Sequence, residues 1–156
     1  MTIDEICTGL RNVDLPDARF QNIEISPLLI LIDDSYNANL ESTLAALDYL
    51  NAFSGSGNKI FILGDMLELG KHSKKLHQSI SPLINKSKID KVFVKGNKVI
   101  SLFKKLTKSK KGGILYNNSQ IIELIKNRLN NNDYLMIKAS NATGFNRIVQ
   151  DLKGQK

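Results

Sequence analysis

Along the chain, short apolar runs alternate with segments whose apolar residues recur every three or four positions. "LLILI" (28–32), "KIFILG" (59–64), "KVFVKG" (91–96), "GILY" (113–116) and "YLMIKAS" (134–140) read as strands. Between them, Leu40, Leu44, Leu47 and Leu50 share one helical face, and Leu76, Ile80, Leu83 and Ile84 mark a second helix. Val99, Leu102 and Phe103 mark a third, and Ile121, Leu124, Ile125 and Leu129 a fourth. A last helix near 143–153 carries Phe145, Ile148, Val149 and Leu152. Pro82 falls inside the second helical pattern and predicts a break or kink there. Repeated strand–helix units predict an α/β fold: a Rossmann-like, mainly parallel sheet with helices on both faces. About five strands should be parallel, with one antiparallel edge strand.

The first 27 residues do not follow this rhythm. "TIDEICTGL" is a capping box, Thr2 with Glu5, that opens a short helix. "NVDLPDARFQNIEISP" then reads as loop and an edge strand that pairs with 28–32. This stretch looks like the tail of a preceding unit.

Composition narrows the class. A chain of 156 residues, 42% apolar and 24% charged, has the size and balance of one globular domain with a full core. It has no apolar run of about 18 residues to span a bilayer, and "MTIDEICTGL" lacks the basic-then-apolar order of a secretory signal. Cys7 is the single cysteine, so no internal disulfide forms, and a reducing cytoplasm is the expected setting without membrane insertion. His72 and His77 are five apart and do not share a helical face, so no metal site is expected. The net charge of +7 raises the question of a nucleic-acid partner. Eighteen of the 22 basic residues are lysine, beside sixteen asparagines, as in lysine- and asparagine-biased coding. The lysines read as scattered, apart from "KLTKSKKGG" at 105–113, taken as a solvated helix end and loop. No nucleic acid is expected.

In open α/β sheets the ligand lies beyond the carboxyl ends of the strands. That face collects Asp33 to Asn39, Gly64 to Gly70, Gly96 with Asn97, and Ser140 to Gly144. In "DDSYNAN", a carboxylate at a strand end can accept the hydroxyls of a ribose, Tyr36 can flank a planar base, and Asn37 and Asn39 can bond its edge or the sugar. Asn39 also suits a helix N-cap. In "GDMLELG", Asp65 and Glu68 are either functional or part of a structured loop with Asp65 as a cap. "KASNATGFNR" (138–147) suits an anion at a helix start or a plain cap by Ser140 or Thr143. Arg19 in "DARF" could clamp a phosphate or make a surface ion pair. No phosphate-cradling loop is present: "GSGNK" (55–59) lacks Walker A spacing and no G-x-G-x-x-G follows a strand.

Taken in order, "PDARFQ", "IDDSYNANLESTLAALDYL", "ILGDMLELGKHSKKLH" and "YLMIKASNATGFNRIV" resemble the C-terminal domain of a Mur ligase, and within that family the MurF type. The resemblance covers nearly the whole chain, with 1–25 similar to the segment that leaves the central ATPase domain and 26–156 to the C-terminal domain. It implies an ATP-dependent ligase that adds D-alanyl-D-alanine to UDP-N-acetylmuramoyl-tripeptide, in peptidoglycan precursor synthesis, through an acyl phosphate. By resemblance, Arg19 binds the terminal phosphate of ATP, Asp34 sits at the ribose, and Tyr36, Asn37 and Asn39 lie near the adenosine. Lys138, Ser140 and Thr143 help place the D-alanyl-D-alanine. The phosphate loop, the Mg2+ ligands and the UDP-sugar-binding domain belong upstream in the family, so this chain alone should not ligate. Two positions depart from the family pattern. Leu40 stands where a proline is usual, which a helix start tolerates. Ala139 stands where glycine is usual, at a cost of roughly 1 kcal/mol if the position needs a positive φ.

The alternative is a phosphoacceptor receiver domain, in which Asp33 and Asp34, Asp65 and Lys138 would converge to bind magnesium and accept a phosphoryl group.

Overall fold

The computed structural model describes residues 2–11, 19, 21–26, 29–130 and 132–153. The loop expected across 12–18, and Leu28 of the first strand candidate, lie outside the described residues. The described elements run α1 (Ile3–Arg11), β1 (Gln21–Ser26), β2 (Leu29–Asp34), α2 (Leu40–Ala52), β3 (Lys59–Gly64), α3 (Ser73–Lys86) and β4 (Lys91–Lys95). They continue with α4 (Ile100–Lys105), β5 (Lys111–Ile114), α5 (Asn118–Arg128), β6 (Tyr134–Lys138) and α6 (Phe145–Lys153).

Six strands form one sheet in the order β1-β2-β6-β3-β4-β5. β1 pairs antiparallel with β2, and every other pairing is parallel. The expected α/β architecture, with its antiparallel edge strand, is therefore present. The central strands are buried on both faces, which is why they read as unbroken apolar runs. One face packs Ile32, Phe61, Leu63, Val92, Val94 and Met136 against α2, α3 and α4. The other packs Leu31, Ile60, Ile62, Leu135 and Ile137 against α5 and α6.

The last strand inserts between the first two of the parallel set. β6 pairs with β2 on one side and with β3 on the other. Its carboxyl end, Lys138, consequently lies beside Asp34 and beside Leu63. That insertion assembles the loops after β2, β3 and β6 at one end of the sheet.

Two local expectations change. α3 runs unbroken through Pro82. A proline inside a helix leaves the carbonyl four residues back without its usual donor. Here that carbonyl belongs to Gln78, and Ser81 Oγ donates to it at 2.7 Å. The strand expected at 113–116 begins at Lys111 instead. The glycine pair that looks like a strand terminus is inside it, because a Cβ on Gly112 would come within 2.6 Å of the Phe93 ring on β4.

At the N-terminus the capping box is formed. Thr2 N–H donates to Glu5 Oε2 at 2.7 Å, and Glu5 N–H donates to Thr2 Oγ1 at 3.2 Å.

Candidate functional site

β2 ends in two acids whose fates differ. Asp33 turns back on its own loop, where its Oδ1 accepts from Ser35 N–H at 3.1 Å and from Ser35 Oγ at 2.7 Å. This is an Asx turn that brings the chain sharply out of the strand. Asp34 is 4% exposed and borders a small cleft. Its Oδ2 lies 2.7 Å from Lys138 Nζ, a close and buried ion pair. Burial pushes the Asp34 carboxyl above its ordinary range, with the bond to Lys138 and that residue's charge acting against the rise.

Lys138 also donates to the carbonyl of Asn37 at 2.6 Å. One ammonium thus ties the end of β6 to both ends of the segment 34–37. Asn37 Oδ1 accepts from Ala38 N–H at 2.8 Å. Asn39 caps α2: its Oδ1 accepts from Ser42 N–H at 2.8 Å, and Ser42 Oγ accepts from Asn39 N–H at 3.2 Å. The cap fixes where α2 starts, and so where the loop must end.

Arg19, Asn37 and Asn39 are exposed, as is Tyr36, at 44%. The Arg19 guanidinium lies over its ring, 4.3 Å from the centroid. Arg19, Asp34, Tyr36, Asn37, Asn39 and Lys138 line one open cleft of about 350 Å³, with Ser42. Tyr36 and Asn37 also border a larger cleft of about 700 Å³, whose other wall is the loop from Ser140 to Gly144. The tyrosine stands on the ridge between the two.

The structure therefore gathers the residues singled out in the sequence into two neighbouring clefts and divides them differently. Lys138 lies with the Asp34 group. Ser140 and Thr143 line the larger cleft with Asn141, Leu67, Glu68 and Arg147. Both hydroxyls have internal partners: Ser140 Oγ accepts from Leu67 N–H at 3.1 Å, and Thr143 Oγ1 donates to Ser140 O. They shape the loop on the cleft wall. Lys95, half-buried, donates to Thr143 O at 3.2 Å, and desolvation lowers its pKa. Ser42 and Arg147 were not singled out in the sequence. Arg147 lies in the first turn of α6, and no signal in the local sequence marked it.

Ala139 has an ordinary backbone, since Glu68 and Asn132 are the non-glycine residues with positive φ among those described. The expected strain is absent. A Cβ added at Gly64 would lie 2.6 Å from the Ala139 methyl and 2.8 Å from Phe145 Cε2, so it is Gly64 that makes room for the alanine.

Asp65 is a structural cap. Its Oδ1 accepts from Val99 N–H at 2.8 Å and Lys98 N–H at 3.0 Å, and its Oδ2 from Asn97 N–H at 3.2 Å. His77 is buried in α3, where Nε2 accepts from Met66 N–H at 3.0 Å and Nδ1 donates to Ser73 O at 2.8 Å. These bonds hold the 64–70 loop on α3. With Asp65 turned to backbone donors and Lys138 paired to Asp34, the acid cluster required for a receiver domain is not assembled. Among the described residues no group of three or more His, Cys, Asp or Glu could hold a metal ion.

An acid-tipped strand, a ring on a ridge and two clefts at the strand tips define a Rossmann-like α/β domain with open clefts at one end of its sheet. The family model described as Mur ligase, glutamate ligase domain, matches residues 18–141, and the chain belongs to that family. It is 35% identical over 154 residues to the UDP-N-acetylmuramoyl-tripeptide–D-alanyl-D-alanine ligase of Buchnera aphidicola subsp. Baizongia pistaciae, which covers 96% of this chain and 32% of the relative. The chain spans about a third of the length of the curated relatives it matches. Among solved structures it is similar to MurF from Acinetobacter baumannii, with a TM-score of 0.82 at 23% identity over 99% of this chain and 34% of that one. MurF ligase from Thermotoga maritima in complex with ADP gives 0.77 at 23% identity, over 96% and 34%. No helix among the described residues is long and apolar enough to cross a membrane.

Proposed function

We propose that this chain is the C-terminal domain of an ATP-dependent, amide-forming ligase of the MurF type. It adds D-alanyl-D-alanine to UDP-N-acetylmuramoyl-tripeptide in the cytoplasm. In that reaction ATP phosphorylates the peptide's terminal carboxylate, releasing ADP, and the dipeptide amine displaces phosphate to form the amide. The observation that carries this reading is the small cleft, where an exposed ring with an arginine over it stands beside a buried, ion-paired acid at a strand tip.

The residues present fit an adenosine and its phosphates. Tyr36 offers a face for the base, the Asn37 and Asn39 segment borders the sugar position, and the Asp34 carboxylate, which lines the same cleft, is suited to a ribose hydroxyl. Arg19 adds a cation for the terminal phosphate. The Asp34–Lys138 pair holds the 34–39 loop in the shape that presents these groups, so Lys138 acts as a positioning residue of the nucleotide cleft. The loop through Ser140 and Thr143, with Arg147, forms the wall against which the dipeptide is placed. Neither cleft is enclosed, and the remaining walls, the phosphate loop and the Mg2+ ligands belong to upstream domains. The segment ahead of the sheet, set at 1–25 from the sequence and ending by Gln21 once β1 is counted into the sheet, is the exit from the ATPase domain.

The test is an assay of the full-length polypeptide that carries this chain. Phosphate release that requires ATP, UDP-N-acetylmuramoyl-tripeptide and D-alanyl-D-alanine together is expected. Amide formation with glutamate in place of the dipeptide, or ATP hydrolysis indifferent to both peptides, overturns the reading. The isolated chain should show no ligase turnover.

A further inference from the structure

The charge of this protein is concentrated in one stretch. Residues 86–111 contain ten lysines, no arginine and a single carboxylate, Asp90, whereas the rest of the chain holds 12 basic and 14 acidic residues. The whole positive excess therefore lies in these 26 positions. Spacing along the chain makes the lysines look scattered, and the fold removes that impression.

Lys86 and Lys88 close α3 and begin the link to β4, which Lys91 opens. Lys104 and Lys105 end α4, and Lys108, Lys110 and Lys111 lead into β5. Cross-links between these segments hold them side by side. Lys91 Nζ donates to Ser109 O at 2.9 Å, Lys110 Nζ to Ser87 O at 2.9 Å, and Thr107 N–H to Asn85 Oδ1 at 2.9 Å. Eight lysines thus converge at the amino ends of β4 and β5. The clefts lie at the opposite, carboxyl ends of the strands, and the segment that precedes the domain enters along the opposite edge, at β1.

We propose that this lysine cluster is a docking surface for an anionic lipid bilayer. Ammonium groups dominate the cluster, with Arg128 the guanidinium that shares a cleft with Lys91 and Lys110. A surface so weighted to lysine is suited to diffuse attraction by a charged surface, whereas a guanidinium fork selects individual phosphates bidentately. The stretch has two aromatic residues, Phe93 and Phe103. Phe93 is buried, and Phe103 packs against the core with Lys111 Nζ 5.6 Å from its ring. The stretch itself therefore presents no ring for stacking a base, as single-stranded nucleic acid requires. Docked through this end, the domain keeps both clefts turned away from the lipid and open to soluble partners.

Flotation of the chain with vesicles tests this. The expected result is retention on vesicles of about 30% phosphatidylglycerol in phosphatidylethanolamine at low salt, lost on pure phosphatidylcholine and in about 0.5 M salt. Each lysine removed should lower partitioning about fivefold, so the triple variant Lys104→Glu, Lys105→Glu, Lys108→Glu should fall by a hundredfold or more. The same charge change at the exposed Lys71, Lys74 and Lys75, beside the clefts' end of α3, should leave most of the binding. Thermal melting of both variants distinguishes lost binding from lost folding. Equal loss in the two folded variants, no retention on anionic vesicles, or tighter binding to a single-stranded RNA oligonucleotide than to the vesicles overturns the proposal.

Discussion

Lys138 shows how a single side chain can set the geometry of a site. It is 2% exposed, contacts Asp34 and carries the carbonyl of Asn37. Replacing it by methionine keeps the volume and leaves Asp34 buried without a counter-charge, which should cost about 3–5 kcal/mol at neutral pH in urea unfolding. The sign of the pH dependence follows from the raised Asp34 pKa. Its favourable contribution is complete below the unfolded-state carboxylate range and is lost as pH rises through the higher folded value. Lys138→Met removes the groups that oppose that rise, so its penalty should shrink as pH is lowered and Asp34 takes up its proton. A penalty independent of pH would show that the pair is not coupled to Asp34 ionisation. Glu68 offers a second residue-scale test. It holds φ 62 on the rim of the larger cleft and is exposed. Glu68→Gly should therefore stabilise the fold by about 0.5–1 kcal/mol, and the shift in urea midpoint checks it.

Among the elements, the junction of β3, β6 and α6 is the most tightly specified. Gly64 ends β3 against the Ala139 methyl and the Phe145 ring. Gly64→Ala should destabilise by about 1–3 kcal/mol. Adding Ala139→Gly should recover part of the loss, because one of the two close approaches disappears while Phe145 remains. Additive effects in a double-mutant cycle would contradict this contact. The elements also show what sequence alone could reveal. Strands buried on both faces announce themselves as apolar runs, and four of the five candidates overlie observed strands closely. The strand at Lys111–Ile114 was displaced because its glycines answer to the Phe93 ring, a tertiary partner 19 or 20 positions away that local pattern does not encode. At Pro82 the helix is not broken, for the opposite reason: a local donor, Ser81, compensates for the missing backbone bond. Ser81→Ala should then cost about 1 kcal/mol, measurable by thermal melting.

At the scale of the whole molecule, the strand order brings loops from distant parts of the chain to one end of the sheet and leaves the lysine cluster at the other. Which loops gather at the carboxyl ends of the strands was legible in the sequence, because the strand–helix alternation itself fixes them. The division of that end into two clefts was not, since that depends on Lys138 reaching Asn37 from 101 positions away. Both clefts are open, and the adenosine reading requires that upstream domains close over them. The most direct test is the Michaelis constant for ATP of the full-length polypeptide carrying Tyr36→Ala, with the exposed Tyr116→Ala as reference. Loss of a stacking ring worth about 1–3 kcal/mol should raise the ATP KM roughly 5- to 150-fold while kcat changes little. An unchanged ATP KM in Tyr36→Ala, with Tyr116→Ala behaving alike, would contradict the placement of the nucleotide at this cleft.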